Sequence, residues 1–224
     1  MKTQVLVFYL LFVSTALSQE KEQPSDPVQK YFYVQIESGV NMSGVKSAIF
    51  KDIGVPKFGF RGGGLFGYRK GLTSVETGVL YSMKGHNFEA SFSDQYGNLI
   101  GTEKSEYHFN YLDFPLLFGL NLGRKVSFYT KMGGKFACLV EAREFFPGFE
   151  GLNGFENDIT QSLRRLDLLG VVQIGLNIDL GRIYLNTNLS AERGLFSVVK
   201  YTLTQDFNRY NRLANFSLGL GYKF

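Results

Sequence analysis

Strict two-residue alternation of side chains is the feature that most limits the folds open to this chain. In the last nine residues, "FSLGLGYKF", small or polar residues separate bulky apolar ones, so that Phe216, Leu218, Leu220, Tyr222 and Phe224 share one face. A period of two indicates a β-strand, because successive side chains of a strand point to opposite faces. Eight such segments predict strands, over residues 31–41, 58–68, 73–83, 107–122, 126–140, 165–180, 183–192 and 213–224.

The connections between these predicted strands alternate in length. Short turns with glycine join strands two and three, four and five, and six and seven, around Gly71, Gly123 and Gly181, whereas the other connections are long and polar. Short turns at one end and long loops at the other are typical of an up-and-down barrel that crosses a membrane. The predicted fold class is therefore all-β: an eight-stranded antiparallel up-and-down transmembrane β-barrel, with both termini on the short-turn side.

The polar face of the strands carries charges of both signs. An eight-stranded barrel has an interior just wide enough for side chains to fill, and an unpaired charge there would be costly. We therefore expect a hydrogen-bonded ionic plug in the lumen, and Leu, Phe, Val and Ile side chains facing lipid. The alternative is a soluble barrel whose polar face is solvated. The predicted lumen charges are Arg61, Glu76, Asp113, Lys131, Lys135, Asp167 and Asp179.

Proline inside the fourth strand predicts an irregularity. Pro115 cannot donate a hydrogen bond to a neighbouring strand, and a closed barrel has no edge on which to place it. A local bulge is therefore expected at Pro115.

The N-terminus predicts export. Lys2 precedes an apolar run that is shorter than the roughly 20 residues of a membrane-spanning helix, and Ala16-Leu17-Ser18 is a small-x-small cleavage site. The predicted division is a signal peptide over residues 1–18, a periplasmic lead-in over 19–30 and the barrel over 31–224. The single cysteine, Cys138, excludes an intramolecular disulfide, and a formal charge of +4 is too small to indicate nucleic acid as a partner.

Residues suited to catalysis or metal binding are sparse. The glycine-rich run over residues 62–67 matches a nucleotide-binding pattern, but it lies inside a predicted strand, where that site cannot form. Ser105, Glu106 and His108 are close enough in sequence to suggest a hydrolase, and His86 is the only other histidine. We predict no enzyme, no cofactor and no metal site, and keep a lipid-modifying enzyme and a small pore as alternatives.

Three motifs resemble a known family. "TGxxYxxKG" ends the third strand, "YLDFPLL" lies in the fourth, and "YxKxGG" lies in the fifth. Together they resemble the PorT-like outer-membrane β-barrel family of Bacteroidetes-type bacteria, with Asp113 where that family usually has glutamate. The resemblance implies an outer-membrane location, and some family members are tied to type IX secretion and gliding. The residues that carry it are Thr77, Gly78, Tyr81, Lys84, Gly85, Tyr111, Leu112, Asp113, Pro115, Leu116, Tyr129, Gly133 and Gly134.

These observations favour a structural or binding role in the bacterial outer membrane, with a link to secretion or surface attachment as a hypothesis. The expected partners are outer-membrane lipid, the barrel assembly machinery and a protein that contacts the external loops. The alternating strand that ends at Phe224 resembles the signal read by the assembly machinery. Seven aromatic residues in the long loops are candidates for the protein contact, for packing against one another or for contact with the lipopolysaccharide region: Phe88, Phe92, Tyr96, Phe145, Phe146, Phe149 and Phe155.

Overall fold

The computed structural model describes residues 30–47, 53–93, 96–149, 152–197 and 209–224. The predicted signal peptide and nearly all of the lead-in lie outside these residues. Nine strands and one short 3₁₀ helix, Thr160–Ser162, are present in the described part of the chain. The strands are β1 (Lys30–Ser47), β2 (Ile53–Lys70), β3 (Thr73–Ser93), β4 (Leu99–Leu122), β5 (Val126–Phe149), β6 (Leu152–Asp158), β7 (Leu166–Asp179), β8 (Ile183–Gly194) and β9 (Arg209–Lys223).

Eight of these strands close into an antiparallel ring in the order β1-β2-β3-β4-β5-β7-β8-β9, which confirms the predicted fold class. β1 and β9 close the ring, and the Phe224 amide donates a hydrogen bond of 2.9 Å to the Phe32 carbonyl. No helix in the described residues is long and apolar enough to span a bilayer.

The short turns are those that the sequence predicts. They contain Gly71, Gly123 and Gly181, with φ angles of 59°, 105° and 97°. This left-handed region costs glycine little and other residues more, which explains why glycine occurs in each tight turn.

At the opposite end of the barrel the strands extend beyond their predicted bounds and replace much of the predicted loops. β4 and β5 have 24 residues each, and β3 has 21, whereas a tilted strand needs only about 9–11 to cross a bilayer. β6 pairs with β5 outside the ring, within a segment predicted to be a loop. Strands beyond the membrane need no apolar face toward lipid, so their alternation is weak and easily missed.

The prediction of a bulge at Pro115 is wrong. Pro115 pairs in register with Lys135 of β5. Toward β3, pairing is interrupted opposite Pro115 and its neighbour Phe114, and it resumes with the register unchanged. The missing amide hydrogen of Pro115 is therefore accommodated by a short break in the β3–β4 pairing, without a bulge. The irregularity of β4 lies instead between Asn110 and Tyr111.

The two faces of the wall differ as the alternation predicts. Outward side chains such as Ile36 and Leu189 are 73% and 54% exposed, whereas the inward Lys135 is 1% exposed. Apolar side chains outside and charged side chains inside are the reverse of a soluble barrel. This arrangement fits a wall surrounded by lipid.

Candidate functional site

Tyrosines that lie over glycines pack inside the barrel at its short-turn end, which is called the periplasmic end here after the predicted orientation. A Cβ atom on Gly67 would lie 2.2 Å from Cζ of Tyr33, so the ring occupies the space that any larger residue would need. This close approach explains why glycine recurs on the inner face. The cross-strand pairs of this tyrosine–glycine layer are Tyr33 with Gly67, Tyr129 with Gly175, and Tyr184 with Gly221.

A chain of alternating charges lies further up the lumen. Asp113 is 3.1 Å from Lys84 and 2.8 Å from Lys135. Lys135 also contacts Glu192, and all of these side chains are buried.

Arg61 extends the chain, with a nitrogen 3.0 Å from Glu192 and another 3.1 Å from Glu37. Three cations and three carboxylates therefore balance one another, which is the condition for burying charge at tolerable cost. We call this set the central charge network: Lys84, Asp113, Lys135, Glu192, Arg61 and Glu37.

Further ionic contacts lie around the central charge network. On the periplasmic side, Glu76 is 2.6 Å from Lys131 and accepts a hydrogen bond of 2.9 Å from the Tyr33 hydroxyl. Asp179 pairs with Lys223 near the periplasmic opening.

Asp167 differs from the other lumen carboxylates. It accepts a hydrogen bond of 2.7 Å from Asn211 and makes no ion pair with any described residue.

All seven charged residues that the sequence predicts for the lumen lie on the inner face. They do not supply all the ion-pair partners that the inner face contains. The sequence reasoning omitted Glu37, Lys84, Glu192 and Lys223, which supply most of the missing partners. Lys84 lies one residue beyond a predicted strand end, where no face was assigned. Continuing each alternation past its apolar segment would have found it.

An apolar cluster lies in the lumen beyond the charges, and the sequence analysis did not predict it. Its side chains point inward from four strands, and Ile159 and Leu163, on either side of the 3₁₀ helix, pack against them. The cluster comprises Phe109, Tyr111, Ala137, Leu139, Ala142, Leu169 and Leu213. Apolar residues on an otherwise polar face are its only sequence signal.

The wall extends furthest at the end opposite the short turns, over residues 86–93 of β3, 99–109 of β4, 141–149 of β5 and all of β6. We call this part the extracellular extension, after the predicted orientation. Phe146 is buried there and lies 5.3 Å from the Phe155 ring. Phe88, Tyr96, Phe145 and Phe155 are exposed, Tyr96 by 81%. The side chains of Phe92 and Phe149 lie outside the described part.

Arg143 links β5 to β6 on the surface of this extension. Its guanidinium is 2.7 Å from Glu156 and 2.5 Å from Glu141. Hydrogen bonds to these two carboxylates raise the pKa of Arg143 above its ordinary value.

The residues that suggested a hydrolase are divided between two faces of β4. Ser105 is buried, whereas Glu106 and His108 are partly exposed and have the opposite parity along the strand. Glu106 instead lies 2.5 Å from Lys57, and the hydrogen bond from Lys57 lowers the pKa of its carboxyl. His108 is 2.7 Å from the same ammonium group, and His86 stacks on Tyr107 inside the barrel. No serine of the described residues hydrogen-bonds to this histidine–carboxylate pair.

The remaining residues that the sequence analysis singled out can be located in the fold. The glycine-rich run lies wholly within β2, and Cys138 is a half-buried free thiol on β5. The described residues contain no group of three His, Cys, Asp or Glu side chains arranged for a metal ion. The predicted assembly signal forms the outward face of β9, where its members are exposed: Phe216, Leu218, Leu220, Tyr222 and Phe224.

The family comparison agrees with this geometry. The outer membrane protein beta-barrel domain family matches residues 17–200. The chain belongs to this family. As a member of the outer membrane protein beta-barrel domain family, it is a protein of the bacterial outer membrane.

Several solved structures are similar to this chain at low identity. Neisserial surface protein A is 13% identical, with a TM-score of 0.47 over 86% of this chain and 97% of that one. OprG from Pseudomonas aeruginosa is 12% identical, with a TM-score of 0.43 over 88% and 96%. Ail of Yersinia pestis, in complex with the heparin analogue sucrose octasulfate, is 14% identical, with a TM-score of 0.38 over 86% and 99%. No curated protein matches the sequence.

Proposed function

We propose that this protein is a closed, non-conducting barrel that acts as a binding or structural component of the outer membrane through its extracellular extension. The observation that carries the proposal is a series of buried inward side chains beneath an elongated wall. The tyrosine–glycine layer, the central charge network and the apolar cluster follow one another along the barrel axis. Each contains side chains buried against partners from other strands.

The filled lumen supports a role other than conduction. An ion entering it would have to separate pairs such as Lys135 and Asp113, which are 2.8 Å apart and almost fully buried. Breaking a buried pair leaves an uncompensated charge, which costs several kcal/mol, about 3–5. The plug is therefore part of the folded barrel rather than a movable gate.

The extension supports a binding role. It is a hydrogen-bonded sheet, so its exposed side chains are held on a rigid surface. Exposed apolar side chains on such a surface are typical of interaction sites. They include Phe88, Leu99, Ile100, Phe145 and Phe155, and Tyr96 is exposed in the turn between β3 and β4.

The resemblance to PorT-like proteins suggests the setting for that binding. A component of a secretion or surface-attachment system would keep its barrel closed and contact a larger protein outside the membrane. The sequence motifs that carry this resemblance lie mainly in β3, β4 and β5, the three longest strands.

Planar-bilayer conductance tests the closed lumen. The purified barrel should give no steady channels at neutral pH. A variant with E37A, R61A, K135A and E192A together should also give no steady channels, because the tyrosine–glycine layer and the apolar cluster remain on either side of the central charge network. Steady channels in the unaltered protein would contradict the proposal.

Site-specific photo-crosslinking in cells tests the binding role. A crosslinker in place of Tyr96 or Phe145 should capture a discrete protein. The matched control is Leu180, which is 63% exposed beside a periplasmic turn. The control should capture no such protein. Equal capture at all three positions, or none at Tyr96 and Phe145, would count against the extension as a binding surface.

A further inference from the structure

Two arginines stand side by side on the lipid-facing wall. Arg193 of β8 pairs directly with Arg212 of β9, and both side chains are exposed. Directly opposed residues of antiparallel strands have Cβ atoms about 4.5–5.5 Å apart, and like charges at that separation destabilise each other. An anion between the two guanidinium groups would remove this repulsion.

No anion for these arginines comes from the described protein. Neither forms an ion pair with a described residue. Glu192, the acidic neighbour in sequence, points inward and is held by Arg61 and Lys135. Among the described residues, therefore, nothing relieves the repulsion.

The height of the pair matches the outer edge of the apolar band. On β8, outward positions run from Ile183 beside the periplasmic turn to Arg193, the first charge of the series. At about 3.3 Å per residue and a tilt near 40°, this distance corresponds to roughly 25 Å of height, which is the height of the apolar band of such barrels. Arg193 and Arg212 thus lie level with the lipid head groups of the outer leaflet.

A shallow groove runs from the arginines toward the membrane centre. Ala191 and Ala214 pair directly below them, and Gly170 and Gly44 pair beside Arg193 and Arg212. A Cβ atom added to either glycine would meet nothing within 4 Å. All six residues line one open groove, bounded by the larger Met42 and Val172 side chains.

We propose that this groove binds one phosphorylated glycolipid of the outer leaflet. The phosphate lies between Arg193 and Arg212, and an acyl chain lies along Ala191 and Ala214. Guanidinium groups bind phosphate through paired charge-assisted hydrogen bonds. A glycolipid phosphate monoester has more negative charge than the phosphodiester of a zwitterionic lipid, whose charge is balanced by its own ammonium group, so two arginines favour the glycolipid. A second copy of this chain is a poorer occupant, because a twofold interface would bring the same arginines together.

Native mass spectrometry from mild detergent tests the site, with diphosphorylated lipid A as the probe. The unaltered protein should retain one probe molecule. It should retain neither the dephosphorylated glycolipid nor phosphatidylethanolamine, and inorganic phosphate should not displace the probe. R193Q/R212Q should weaken retention at least about tenfold, because each lost charge-assisted hydrogen bond is worth about that factor.

Two further variants separate the site from general charge and from folding. A191F/A214F keeps both arginines but fills the groove, and it should also lose the probe. K70Q/R182Q removes two exposed charges at the periplasmic end and should retain the probe as the unaltered protein does. Equal retention by R193Q/R212Q, equal loss in K70Q/R182Q, equal binding of phosphatidylethanolamine, or an arginine-dependent dimer would each overturn the proposal.

Discussion

Arg61 of β2 and Glu192 of β8 meet across the lumen, with 3.0 Å between Nη1 and Oε1. Two other strands, β1 and β9, lie between β2 and β8 in the ring. The contact joins residues 131 positions apart in the chain. It can form only when the ring is closed, because β2 and β8 reach each other through the interior. The central charge network therefore reports on closure of the whole barrel.

Removing Glu192 should destabilise the barrel strongly. E192A leaves Arg61 and Lys135 without their shared carboxylate, and we expect the free energy of unfolding to fall by about 3–5 kcal/mol. The measurement is urea unfolding in lipid vesicles, followed by far-UV circular dichroism because the chain has no tryptophan.

The matched control for E192A is E156A. Glu156 is 2.7 Å from Arg143, but both side chains are 52% exposed. Its removal should cost less than about 1 kcal/mol. Similar losses for the two variants would mean that burial adds nothing to the Glu192 contacts.

Two glycines of β2 should respond oppositely to alanine. In G67A the new methyl group meets the Tyr33 ring at 2.2 Å, so we expect a loss of about 1–3 kcal/mol from overpacking. In G64A the methyl group meets nothing within 4 Å, and the change should be neutral or slightly stabilising. Thermal unfolding on heated and unheated detergent gels compares the two. If G67A left the stability unchanged, the Tyr33 ring would be able to move aside, and close packing would not explain the glycine at this position.

Deleting Phe224 should impair insertion more than stability. Its side chain is 71% exposed on the lipid face, so the folded barrel loses little packing. We expect slow insertion by the barrel assembly machinery, yet a urea midpoint near that of the unaltered protein once folded. F118A, which removes another outward phenylalanine, serves as the control and should insert normally. Equal insertion rates would remove Phe224 from the assembly signal.

The Lys57–Glu106 pair should make a small, pH-dependent contribution. The pKa of Glu106 is lower in the folded than in the unfolded chain, so its stabilising effect is full above the ordinary carboxyl value of about 4.3 and is lost as the pH falls through the folded value. Because Glu106 is 41% exposed, E106Q should cost less than about 1 kcal/mol at pH 7. The measurement is urea unfolding of both proteins at pH 7 and in acid.

Two comparisons test whether this pH dependence comes from the Lys57–Glu106 ion pair. The difference between the unaltered protein and E106Q should vanish in acid, and it should be smaller at pH 7 in a K57M background. A difference that grows as the pH falls would have the wrong sign for an ion pair.

The sequence predicted the lipid face and the short turns because those features depend on local pattern alone. A period of two assigns Ile36 or Phe118 to one face without knowledge of any neighbour. It also placed Arg61 and Asp113 on the inner face. It could not pair Arg61 with Glu192, because partners across a lumen depend on the register of every ladder between them.

The errors have a similar origin. Pro115 was expected to form a bulge, but a gap opposite it in one ladder was enough. β6 was missed because a strand outside the membrane carries no strong apolar alternation. The apolar cluster around Leu169 was missed because the inner face was taken to be polar throughout.

The unequal strand lengths give the barrel a sloping rim. β4 has 24 residues and β8 only 12, so the wall is high on one side and low on the other. A macromolecule that approaches the cell surface meets the high side first, whereas a lipid diffusing in the leaflet has direct access to the low side. One small barrel can in this way present its high side to the exterior and its low side to the lipid, without a second domain.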